Sequence, residues 1–146
     1  MVLVVASRVD DEARMLVSEF PRGHAALLTP RDLSTAGWDV RSASLPVSIA
    51  TVGGDPIRAT SISGVVTLLP CVFAQELVHI VDADRDYVAA EMTAFLLFWL
   101  GSLACPLLNR PTSACLSGPN WRLEQWCLAA AQAGISAGPV LGPLHE

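Results

Sequence analysis

The chain contains no lysine; all nine of its basic residues are arginines. That absence excludes Schiff-base chemistry, a P-loop lysine and lysine clamps on ATP phosphates. Charge of either sign is scarce, at 16% of residues, and the formal net charge is −5. A nucleic-acid backbone binder needs clustered cations, so that class is excluded too. The four cysteines, Cys71, Cys105, Cys115 and Cys127, form no C-x-x-C pair and none stands at zinc-ligand spacing from a histidine. They read as small hydrophobes in apolar surroundings, with no metal site expected. The opening MVLVVASRVDDEAR lacks the basic start and long apolar run of a signal peptide. A cytoplasmic protein with reduced thiols is expected.

What the chain has in excess is apolar surface. Hydrophobic residues make up 52% of its 146 residues, and the mean hydropathy is +0.47. Such a surplus calls for a large apolar face buried against a partner, or for a helix in a membrane. The length suits one domain, taken as 1–137, followed by a Gly/Pro-rich tail at 138–146 that reads as linker.

Val2–Ala6 is a short β-branched run of the kind found in central strands covered on both faces. Asp10, Asp11 and Glu12 then place acids where a first helical turn favours them. Ala13, Leu16, Val17 and Phe20 follow with the spacing of a core-facing helix, and Pro21 and Gly23 stop it. Ala25–Leu28 is a second strand. This β-α-β opening predicts a parallel pair and an α/β architecture. Thr29-Pro30-Arg31-Asp32 has the form of a helix start, with cap, proline and a third-position acid. Trp38–Val40, Val47–Val52 and Ile57–Ile62 are predicted strands, the last two joined as a hairpin by Gly53-Gly54-Asp55-Pro56. No helix pattern follows the two glycines, so a phosphate cradle there is not supported. Val65–Leu69 is a further strand, and Phe73–Val81 a short helix or loop with Glu76 and His79 exposed.

The rest of the chain is organised around Asp84–Pro111. Asp82, Asp84 and Asp86 have the spacing of a calcium-loop start, but Tyr87 stands where glycine is needed and Thr93 where the bidentate glutamate should be. Helix capping by Asp84 or Asp86 is the expected role. His79 nearby lacks enough co-ligands to hold a metal. Tyr87–Leu103 is apolar nearly all round. Val88 to Leu108 is long enough for a transmembrane reading, but Glu91 in the first turns, Gly101, Pro106 and the lack of flanking basic clusters argue against it. A helix buried between a sheet and a partner subunit fits better. Tyr87, Glu91, Ala94 and Phe98 share one face; Phe95, Trp99 and Leu103 lie on a neighbouring one. Leu107–Asn109 extends the sheet, which places Asn109 and Arg110 at its carboxyl edge, where open α/β sheets bind ligands. Asn109 could instead satisfy turn backbone, and Arg110 could pair with Asp84, Asp86 or Glu91. Ser117-Gly118-Pro119 is the predicted start of a last helix ending at Gly134. Leu123, Trp126, Cys127, Ala130 and Ala131 form its expected core stripe, and Trp121 and Gln125 lie off it, free for a site or partner.

Three features of this half of the chain carry a resemblance: Asp86-Tyr87 with Glu91 opening an apolar helix; Leu108-Asn109-Arg110-Pro111 after a short strand; and Gly118-Pro119-Asn120-Trp121 leading into a helix that ends LAAAQAGI. Together, from about Ser63 to Ile135, they resemble the N-terminal, pre-ATP-grasp domain of ATP-grasp peptide and amino-acid ligases, in the ribosomal-protein glutamate-ligase-like group. The resemblance implies a three-layer, mostly parallel open sheet flanked by helices, Rossmann-like in form. Two departures stand out: Asn120-Trp121 and Leu68-Leu69 occupy places where such ligases often carry basic residues. The family's ATP-grasp domain, with its lysines and magnesium-binding acids, would follow Ile135.

The resemblance therefore implies a non-catalytic module without a cofactor of its own. It would act as a homodimer, or as the partner of a separately encoded ATP-grasp ligase, in peptide or natural-product modification. A peptide or amino-acid substrate is expected, with no nucleic acid or membrane partner. The ligand-binding candidates are Asn109, Arg110, Glu91, Tyr87, Asp84 and Trp121. The alternative is a small stand-alone enzyme at the sheet's carboxyl edge. In it Asp84, Glu91 or His79 would be acid or base, and Arg110 would hold a carboxylate.

Overall fold

A computed structural model describes residues 1–40 and 49–136. Four parallel strands form the sheet: β1 (Val2–Val5), β2 (Ala25–Leu28), β5 (Gly64–Thr67) and β6 (Leu107–Leu108), in the order β2-β1-β5-β6. β1 is central, in register with β2 from Val2↔Ala25 and with β5 from Val2↔Gly64. Its alternation explains why a short, all-apolar strand is needed there. Val4 and Ala6 pack on one face against α1 (Asp11–Ser18) through Ala13, Leu16 and Val17. Leu3 and Val5 join the main core on the other face. That second face is covered by α2 (Arg85–Ser102), through Ala89, Leu96, Trp99 and Leu100, and by a hairpin. The result is the three-layer, mostly parallel α/β arrangement that the β-α-β opening implies.

The hairpin is β3 (Ile49–Val52) with β4 (Asp55–Arg58), a separate antiparallel pair. Gly53 and Gly54 have φ of +60° and +89°, the left-handed pair that a two-residue hairpin turn needs. Pairing starts directly at Val52↔Asp55. The second strand therefore lies earlier than Ile57–Ile62, and residues 59–61 close into a 3-10 turn. Of the predicted Trp38–Val40 strand only an Asp39↔Ile49 bridge forms. Val47, and the tail from 138 onwards, lie outside the described residues.

Asp32 fixes the hairpin to the sheet. It is buried, and its carboxylate accepts the Thr29 N–H and hydroxyl at 2.8 Å and the Gly53 N–H at 2.8 Å. The predicted helix start is thus a 3-10 turn, Asp32–Ser34, whose acid also ties down a distant loop.

Two expectations need correction. Asp84 stands at the N-cap of α2, but its side chain makes no capping bond, and Asp86 lies inside the helix. A 3-10 turn at Asp82–Asp84 runs straight into the helix, Asp84 itself has helical dihedrals, and Asp82 instead pairs with Arg85 at 2.8 Å. The last helix, α3, spans Leu123–Gln132 rather than starting near Pro119. Gly118 has φ +99°, a geometry outside any helix, and a side chain there would point at the Asn109–Arg110 backbone. The start is made by Gln125, whose side-chain oxygen accepts the Arg122 N–H at 2.8 Å. The stop at Gly134 is as predicted. Its N–H bonds to the Ala131 carbonyl and that of Ile135 to the Ala130 carbonyl, the paired closure of a helix end.

The expected core stripe of α3 is also corrected. None of its residues is buried; Trp126 is 47% exposed and Leu123 60%. Among the described residues no strand or helix packs broadly on it. By contrast, the two faces of α2 separate as grouped: Tyr87, Glu91, Ala94 and Phe98 are exposed, whereas Trp99 and Leu103 are buried and Phe95 is half-buried. No helix among the described residues is long and apolar enough to cross a membrane.

Candidate functional site

The carboxyl edge of the parallel sheet carries most of the chain's polar organisation. β1 leads to α1 on one face and β5 to α2 on the other, so the crevice of this open sheet lies between their carboxyl ends. Glu76 fills it. Its carboxylate accepts the Ser7 hydroxyl at 2.9 Å and the Arg8 N–H at 3.3 Å. Asp10 caps α1 by accepting the Ala13 N–H at 2.9 Å, and Asp11 and Glu12 follow. At this helix start the Ala13 N–H is already taken by the Asp10 carboxylate, and the acids of the first turn repel a phosphate.

Further along the edge, Asn109 follows β6 with a left-handed backbone, φ +58°. Its side-chain amide donates to the Thr67 carbonyl at 3.0 Å, tying the end of β6 to the end of β5. The side chain is therefore spent on the sheet. Arg110, next in sequence, makes no ion pair with Asp84, Asp86 or Glu91. It lines a cavity of about 230 Å³ with Leu97, Gly101, Leu107, Thr112 and Ser113. No carboxylate or imidazole lines that cavity. It offers a cation and hydroxyls set in apolar walls, a combination that suits a small carboxylate.

The other candidates lie elsewhere. Asp84 and Tyr87 are exposed at the start of α2. Glu91 lines a separate cavity of about 310 Å³ with Leu33, Trp38, Met92 and Phe95. Trp121 stands before α3, 43% exposed, its ring 4.9 Å from that of Trp126. So Glu91 and Arg110 belong to different cavities, and His79 bonds to Ser34 at 2.8 Å. A third cavity, of about 560 Å³, opens between the ends of β5 and β6 and α3; Pro70, Cys71, Cys115, Asn120 and Trp126 line it. The four cysteines are free, and among the described residues no cluster of His, Cys, Asp and Glu could hold a metal ion.

Three of these features leave little sign in the sequence. Glu76 reads as exposed because nothing local marks its partner, Ser7, as a neighbour. Trp38 reads as a strand residue, yet it forms a cavity wall. Cys71 and Cys115 share a cavity only because two loops after parallel strands meet. Asp32 was the one legible case, through its spacing from Thr29.

This geometry defines an open, three-layer α/β protein of Rossmann-like form with its cavities at the sheet's carboxyl edge and along α2. Among solved structures the chain is similar to the crystal structure of the macrocyclase MdnC bound with precursor peptide MdnA from Microcystis aeruginosa MRC, with a TM-score of 0.57 and 20% sequence identity. The match covers 73% of this chain and 36% of that one, so the chain spans about a third of the macrocyclase's length. At this identity the likeness speaks for the fold. No family model and no curated protein matches the chain.

Proposed function

We propose that this chain is a non-catalytic module of the pre-ATP-grasp kind. It serves as a subunit or substrate-binding module of an ATP-grasp ligase system that modifies peptides or natural products. The observation that carries the reading is the fold match to one part of a macrocyclase held with its precursor peptide. The motifs around Asp86-Tyr87, Asn109-Arg110 and Gly118-Pro119 point the same way. The uncovered apolar surface of α3, with Trp121, Leu123, Trp126 and Leu128 all exposed, supports a role in association. Its partner is a second copy of this chain or a separately encoded ligase.

Light scattering on the pure chain, then on its mixture with purified ATP-grasp peptide ligases of the same organism, tests this. Formation of a defined complex, or a homodimer that raises the ligase's rate on its peptide, is the expected result. A chain that stays monomeric throughout and leaves every ligase rate unchanged overturns it. The stand-alone enzyme has one observation in its favour, the unpaired Arg110 in an apolar-walled cavity. Against it, the proposed acids and His79 lie outside that cavity. Activity lost in both Glu91→Gln and Arg110→Ala would be needed to support it.

A further inference from the structure

The cavity at the N-terminal half of α2 joins three aspects that recur in cation recognition. Two aromatic side chains, Trp38 and Phe95, stand in its wall with Leu33 and Met92, and Glu91 adds a carboxylate. Glu91 makes no hydrogen bond or ion pair among the described residues. Its volume, about 310 Å³, is at the small end of ligand pockets.

The wall is held in place before any ligand arrives. The Trp38 indole N–H donates to the Asp32 carbonyl at 2.8 Å. Its ring meets Phe95 edge-on at 5.2 Å and the fully buried Trp99 at 5.3 Å. Asp32 in turn is fixed by Thr29 and Gly53. Its carboxylate is committed to those donors, so Glu91 is the carboxylate that faces the cavity. A rigid aromatic wall loses little freedom on binding, which favours affinity.

We infer that this cavity binds an organic cation on an apolar stem, the ammonium or guanidinium of a basic side chain. The stem lies along Leu33, Met92 and Phe95, the charge meets Glu91, and the aromatic rings of Trp38 and Phe95 add attraction for the cation. A neutral apolar side chain would gain nothing from Glu91. An anion would be repelled by it, and the chain's net charge of −5 adds to that. The inference deepens the module reading by naming the kind of peptide side chain it would hold, and rests on that reading for the peptide source alone.

The test is an NMR titration of the full chain, following the Trp38 indole N–H and the Met92 methyl. The probes are N-acetyl-lysine N-methylamide, its arginine counterpart and the neutral N-acetyl-norleucine N-methylamide. The expected result is saturable shifts at these two groups with either basic probe, and binding of the norleucine probe at least tenfold weaker. Glu91→Gln, an exposed helix position that leaves the fold intact, should weaken the basic probes about tenfold and leave the neutral one unchanged. Raising the salt should weaken the basic probes severalfold. Equal binding of the norleucine probe, unchanged lysine binding in Glu91→Gln, or shifts confined to Leu97 and Leu107 by the Arg110 cavity would overturn the site. A peptide with one lysine among neutral residues distinguishes the sources. Binding at least tenfold tighter than the capped amino acid supports a peptide ligand, and equal binding overturns that source in favour of a free amine. Cation binding by a chain that joins no ligase would sink the module reading and leave this site standing; association without cation binding would do the reverse.

Discussion

The helices α2 and α3 are made of similar material and meet opposite fates. Both are rich in alanine, leucine and tryptophan. α2 buries Leu96, Trp99 and Leu100 to within 1% exposure, because β5 and β6 hold it across the sheet as the crossover between parallel strands. α3 follows β6, meets no further strand among the described residues, and buries none of its own residues. The difference teaches that an apolar stripe states a need for cover and does not say where the cover comes from. For α2 the cover lies within the chain. For α3 we propose that it comes from another molecule.

Substitutions on the two helices should separate these cases. The largest effect is expected at Leu96→Ala, which leaves a void in the main core and should cost about 3 kcal/mol in urea unfolding. A loss under about 1 kcal/mol would mean that α2 is less tightly held than its burial implies. Asp32→Ala, which strands three donors under the hairpin, should cost roughly 2 kcal/mol. It should also loosen the Trp38 indole, seen as faster exchange of its N–H proton. Asn109→Ala removes the amide that ties β6 to β5 and puts alanine at a positive φ; about 1 kcal/mol is expected. It tests whether the edge of the sheet depends on that side chain. On α3 the expectation reverses. Trp126→Ala should change unfolding free energy by no more than about 0.5 kcal/mol, yet abolish whatever complex light scattering detects. If it destabilises the isolated chain as strongly as Leu96→Ala, α3 is part of the core and the contrast fails. Phe98→Ser, on the exposed face of α2, is expected to be the quietest, within about 0.5 kcal/mol; a loss of association there would move the interface from α3 to α2.

Much of the sheet was legible because its signals are local. A β-branched run at Val2–Ala6, an acid-led amphipathic turn and a second run at Ala25–Leu28 dictate a parallel unit by sequence spacing alone. The Gly53-Gly54 hairpin is legible for the same reason: a glycine pair takes two left-handed dihedrals in succession without steric cost. The candidate site was less readable. Asn109 and Arg110 are adjacent in sequence, but one bonds back to Thr67 and the other faces a cavity, and nothing in the sequence separates them. Glu91 and Arg110 are both on or near α2, yet the length of that helix holds them in different cavities.

By itself, then, the sequence determined the order of elements, the parallel topology, which residues of α2 share a face and the closure of α3 at Gly134. Each follows from periodicity and from backbone preferences that act over a few residues. The tertiary structure decided which polar groups meet: Glu76 with Ser7, Asp32 with Gly53, Asn109 with Thr67, and Trp38 with Phe95 and Glu91. It also decided that α3 goes uncovered among the described residues. Those outcomes depend on distant segments arriving at the same place, and no local pattern of residues encodes that arrival.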